Sequence, residues 1–105
     1  MTRGVHLRKA ARRELEEIAD HFAGSSLAVA LRFATAVESA FSRLLESPHA
    51  GHLRPGKDLF VREVRSWPVP GFEAILVFYR PSPRGIEVVH IVHGARDLPA
   101  IIEEE

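Results

Sequence analysis

Between Lys9 and Phe22 the apolar residues Ala11, Leu15, Ile18, Ala19 and Phe22 recur every three or four positions, while Arg12, Arg13, Glu14, Glu16, Glu17 and Asp20 fill the gaps. This is the 3.6-residue period of a helix with one apolar face. Gly24 predicts its end, and Ser25 or Ser26 can cap a second helix by accepting a hydrogen bond from an unsatisfied N–H of its first turn. The second helix is expected to reach about Glu46 on the broad apolar stripe Leu27, Ala30, Phe33, Ala34, Val37, Ala40, Phe41, Leu44 and Leu45. So short a turn between two helices makes an antiparallel αα-hairpin.

The stretch Ser47-Pro48-His49-Ala50-Gly51-His52-Leu53-Arg54-Pro55-Gly56-Lys57-Asp58 is too rich in Pro and Gly for either helix or strand to persist, and predicts a connecting loop. Beyond it the period changes to that of strands, at 59–69, 73–80 and 86–93. Pro68-Val69-Pro70-Gly71 and Pro81-Ser82-Pro83-Arg84-Gly85 supply the turns, so the three strands form an antiparallel meander. Val5 to Arg8 predicts a short N-terminal edge strand, and Leu98 to Ile102 a short C-terminal helix with Pro99 in its first turn. The fold class is therefore α+β, with the helix hairpin packed on one face of a small antiparallel sheet. The middle strand is apolar on both parities from Ala74 to Tyr79, which requires cover on both faces. The hairpin supplies one cover. The other is expected from a protein partner, the alternative being that residues 47–58 and the C-terminal segment fold over the open face.

At 105 residues the chain suits a single domain, 1–105. It has no cysteine, which excludes disulfides and thiolate metal sites, and no apolar run near the ~20 residues that cross a bilayer, so a cytoplasmic protein is expected. Lys plus Arg equals Asp plus Glu, which argues against tight nonspecific nucleic-acid binding. With the terminal Glu103, Glu104 and Glu105 set aside, however, the basic residues are in excess, leaving room for a local cationic surface. Nearly all of them are arginines, a bias that either serves bidentate partner recognition or reflects codon usage.

His90, His93, Arg62, Arg65, Arg80, Arg84 and Arg96 fall on or beside the strands, and Tyr79 is placed to stack on a base. Strand alternation sets His90 and His93 on opposite faces, which weakens an acid–base pair. His93 has a plainer role as a hydrogen-bonding residue in the turn after the last strand, and Arg96 as a partner of Asp97 or of a helix C-terminus. Trp67 is either a partner anchor or core. His49 and His52 lack a third ligand, and no nucleotide or phosphate loop occurs, so neither metal nor cofactor is expected.

The order helix hairpin, Pro/Gly loop and meander is joined by particular residues: Ala11-Arg12-Arg13-Glu14-Leu15-Glu16-Glu17-Ile18, Ala30-Leu31-Arg32-Phe33, Leu44-Leu45-Glu46-Ser47-Pro48-His49-Ala50-Gly51, Val61-Arg62-Glu63-Val64 and Leu76-Val77-Phe78-Tyr79-Arg80. The most specific piece is Val89-His90-Ile91-Val92-His93-Gly94-Ala95-Arg96-Asp97, similar to a His-x-x-Arg-Asp signature. Over nearly its whole length it resembles the ParE branch of the ParE/RelE toxin superfamily. That resemblance implies a toxin of a type II toxin-antitoxin system that poisons DNA gyrase, neutralised by a ParD-like antitoxin of ribbon-helix-helix type that alone touches operator DNA. Target contact then falls to Arg62, Arg65, Tyr79, Arg80, His93, Arg96 and Asp97, and antitoxin contact to Trp67, Leu76, Phe78, Val88 and Val92. The alternatives are a metal-independent, ribosome-dependent mRNA endonuclease of RelE type and a degenerate module that only binds antitoxin or operator.

Overall fold

The amphipathic N-terminal sequence forms two helices, α1 (Lys9–Ser25) and α2 (Leu27–Glu46). The computed structural model describes residues 4–54 and 64–94. The first helix outruns its expected end. Gly24 lies inside it, exposed, at a cost of about 1 kcal/mol relative to alanine, and the break falls two residues later at Ser26, whose backbone is extended (φ −161°, ψ 117°). Ser26 serves both helices. Its N–H donates to Phe22 O at 2.8 Å, closing α1, and its Oγ accepts the Val29 N–H at 3.2 Å, opening α2.

Among the described residues five strands follow the sheet order β1-β5-β4-β3-β2: β1 (Val5–Leu7), β2 (His52–Leu53), β3 (Arg65–Val69), β4 (Phe72–Ser82) and β5 (Gly85–His93). Two expectations change. The sheet is mixed, because β1 pairs parallel with β5 (Val5 opposite Ile86, Leu7 opposite Val88); the helix hairpin is the crossover that returns the chain to that sense. The loop also contains a strand, since His52 and Leu53 fall between Gly51 and Pro55 and pair with Ser66 and Arg65. The β3–β4 turn behaves as read, with Pro70 followed by Gly71 at φ +80°, a value that a side chain resists. The helix expected at Leu98 to Ile102 and the start of the first meander strand, 59–63, lie outside the described residues.

One sheet face carries Val69, Ile75, Val77, Tyr79, Ile86, Val88 and Ile91, packed against Phe33, Val37, Phe41 and Leu44 of α2 and Ala11 of α1. The Phe22 ring closes one end, its centroid 5.2 Å from Phe33 and 5.3 Å from Phe72. Truncating a side chain as completely buried as Phe33 costs about 3–5 kcal/mol. Val64, Phe78 and Val92 form a separate cluster with Leu76. The two-parity reading of the middle strand is thus correct, but the second face is not bare: Phe78 and Val92 keep only 5% and 3% of their surface in the isolated chain. A bulge between Phe78 and Tyr79 sets Phe78 opposite His90 and Tyr79 opposite Val88, so Val89 has no partner on β4. Among the described residues no helix is long and apolar enough to cross a membrane.

Candidate functional site

Helix α2 ends at Ser47, and the chain that follows is fastened to the sheet by two side chains. Tyr79, wholly buried on β4, donates its hydroxyl to Pro48 O at 2.8 Å and accepts the Gly51 N–H at 2.8 Å. Arg65, its cross-strand neighbour, donates Nη1 to His49 O at 3.1 Å and to Gly51 O at 3.0 Å. Burial pushes the Tyr79 phenol above its ordinary value, against the opposing pull of the Gly51 N–H and the Arg65 charge. Tyr79 was expected to meet a target. It has no exposed surface for one here, and acts with Arg65 to hold the loop.

What the loop delivers is Arg54. Its backbone N–H donates to Val64 O at 2.8 Å, its Nε donates to Ser66 Oγ at 2.9 Å, and its guanidinium carbon stands 5.9 Å from the centre of the Phe78 ring. Arg54 therefore lies across the second apolar cluster, with half-buried Leu76 at the cluster's margin. The residues read for antitoxin contact separate accordingly. Leu76, Phe78 and Val92 share this face, whereas Val88 is fully buried beneath the helices and Trp67 packs, half-buried, against the same helix-side core.

At one end of the sheet three strands set polar groups in a row, with Glu87 of β5 registered between His6 of β1 and Arg80 of β4. The two Glu87 carboxylate oxygens are taken by different arginines: Arg8 Nε at 2.9 Å and Arg80 Nε at 2.7 Å. The Arg8 hydrogen bond holds the Glu87 carboxyl below the usual range, with burial opposing and Arg80 reinforcing. Arg80, expected to contact a target, is partly exposed.

At the other end of β5, beyond the reach of β1, Glu14 of α1 accepts the Ile91 N–H at 3.0 Å and lies 3.1 Å from His90 Nδ1. His90 stands opposite Phe78 and His93 opposite Ile75, residues of opposite clusters, so the two histidines do not converge. Arg62, Arg96 and Asp97 lie outside the described residues. The structure thus joins Arg65 to Tyr79 and keeps Arg80 apart from His93.

Sequence reasoning missed Glu14, Arg54 and the Arg8–Glu87–Arg80 bridge. One had a legible signal: Glu14 is three residues after Ala11 and four before Ile18, on the apolar stripe itself, where a carboxylate needs a buried donor. The others depend on cross-strand register, which the sequence does not print.

Comparison with known proteins yields one family. The model for the ParE toxin of type II toxin-antitoxin system, parDE, matches residues 5–98, spanning every described strand and helix. No curated protein matches the chain at a significant level.

Proposed function

The chain belongs to the ParE toxin family of type II toxin-antitoxin systems, a family whose members are paired with a cognate ParD antitoxin, and from that premise we propose that it arrests bacterial growth by binding and poisoning DNA gyrase. It acts in the cytoplasm, and a ParD-like antitoxin of ribbon-helix-helix type neutralises it and makes the contacts to operator DNA. Antitoxin contact is carried by the margin of the second apolar cluster, where half-buried Leu76 borders the buried Phe78 and Val92.

The observation that favours gyrase over the ribosome is the employment of the residues that RNA cleavage would require. General acid–base catalysis on a ribose 2′-hydroxyl needs groups that can approach the substrate. Tyr79 is sealed in the core with both its hydrogen bonds internal, and His90 and His93 stand opposite residues of different clusters, so they do not meet as an acid–base pair. A toxin that works by binding needs no such groups.

Expression in a bacterial host with and without the neighbouring gene tests this reading. Growth arrest with filamentation and DNA-damage signalling, relieved by co-expression of the neighbour, is the expected outcome. An immediate halt of translation without DNA damage would replace gyrase by the ribosome, and harmless expression of folded protein would leave only an antitoxin-binding module.

A further inference from the structure

We propose that the Arg8–Glu87–Arg80 bridge is a phosphate fork through which this protein touches a nucleic-acid backbone directly, rather than only through its antitoxin. The inference is independent of which target the toxin poisons.

The geometry begins with how Glu87 is shared. Each arginine spends its Nε on a separate carboxylate oxygen, Arg8 at 2.9 Å and Arg80 at 2.7 Å. A guanidinium carries five N–H donors in a rigid fork. Among the described residues the Nη groups of Arg8 and Arg80 donate no hydrogen bond, so two planar donor edges remain, held apart and oriented by one carboxylate. Both side chains reach solvent, with 47% exposure for Arg8 and 26% for Arg80. Fixing two long side chains beforehand removes much of the entropy that their ordering on an anion would cost.

The surroundings decide the sign of the ligand. Glu87 itself would repel an anion, but it is outnumbered. Lys9 and Arg12 follow Arg8 in the first turn of α1, which contains no acidic residue, and Arg84 occupies the turn between Arg80 and Glu87. His6 is exposed on the other side of Glu87 in the cross-strand row. From Gly4 to Arg13, and from Tyr79 to Val92, Glu87 is the only acidic residue. A bare bidentate carboxylate site would be served by one arginine. Two, splayed by a carboxylate and with Lys9, Arg12 and Arg84 close by in sequence, fit the repeated phosphates of a polymer. The balanced total charge then keeps the binding local and weak, so it adds to a protein-held complex instead of coating DNA.

The test is fluorescence anisotropy at 50–200 mM salt with the purified chain and three probes: labelled duplex DNA, single-stranded RNA of the same length, and pyrophosphate as competitor. Salt-dependent binding of DNA or RNA is expected, and Arg8→Gln/Arg80→Gln should weaken it at least tenfold. The log–log salt slope should also fall in magnitude by roughly 0.7 to 0.9 for each phosphate that the variant no longer neutralises. Circular dichroism checks the fold, and if the double variant does not fold, Arg8→Gln alone carries the test with the slope change of a single phosphate. Equal binding by folded variants, or absence of polymer binding at low salt, would overturn the proposal.

Discussion

The backbone N–H of Gly51 donates to the hydroxyl of Tyr79, 28 residues later in the chain, at 2.8 Å inside the core. The fit leaves no room for a side chain: a Cβ on residue 51 would come within 2.7 Å of Cε1 of the Tyr79 ring. Loop and sheet are therefore built to one another, and the position of Arg54 over Phe78 depends on that match.

Tyr79→Phe removes the hydroxyl's bonds to Pro48 O and Gly51 N–H while keeping the ring in place. Leaving buried partners unsatisfied costs about 1–3 kcal/mol, to be read as a lower midpoint in chemical denaturation. The same pair has a pH signature. The folded phenol holds its proton above the ordinary value of 10.0, so the stability it contributes is whole below about that pH and is lost as pH rises through the folded value. The wild-type midpoint should therefore fall more steeply above pH 10 than that of Tyr79→Phe.

Glu14 fastens the helix hairpin to the part of β5 that β1 does not reach. Glu14→Gln keeps an oxygen for the Ile91 N–H, whereas Glu14→Ala leaves that donor and His90 without their partner. Amide hydrogen exchange at Ile91 should be little changed in the first variant and at least tenfold faster in the second. Equal protection in both would show that the carboxylate does not hold the edge.

Glu87 is deprotonated in the fold to lower pH than its ordinary value of 4.5, chiefly through Arg8. Its contribution to stability is then whole above about that pH and disappears as pH falls through the folded value. Replacement by Gln should flatten the acid limb of a thermal-melting profile between pH 6 and 3 while leaving the alkaline limb unaltered. Because the bridge is partly exposed, raising the salt concentration should shrink the difference.

How much of this was legible in the chain follows from the range of the forces involved. Helix α2 and the β3–β4 turn are local, fixed by the period from Leu27 to Leu45 and by Pro70-Gly71, and both read correctly. The end of α1 was misread because Gly24 only weakens a helix, while Ser26 caps on both sides. The parallel sense of β1 and the pairing of His52 with Ser66 join residues far apart in sequence, and no short pattern encodes them. The same limit applies to the site. Tyr79 and Arg65 were read as target-contact candidates, and nothing near them in sequence announces that Pro48, His49 and Gly51 fold against them.

Leu76 is the margin of the second apolar cluster that stays half-buried in the isolated chain, so a charge there disturbs the surface more than the core. Leu76→Glu should weaken capture by the cognate antitoxin at least tenfold in calorimetric titration, with the far-ultraviolet circular dichroism unchanged. Undiminished affinity would move antitoxin binding away from this face.

A supercoiling assay with purified toxin, gyrase, relaxed plasmid and ATP, run with and without the product of the adjacent gene, decides whether this ParE family member poisons gyrase. Loss of supercoiling is expected, with linear DNA released on denaturation and both effects relieved by the adjacent product. Full supercoiling in the presence of folded, growth-arresting protein would contradict the gyrase reading and direct the search to the ribosome.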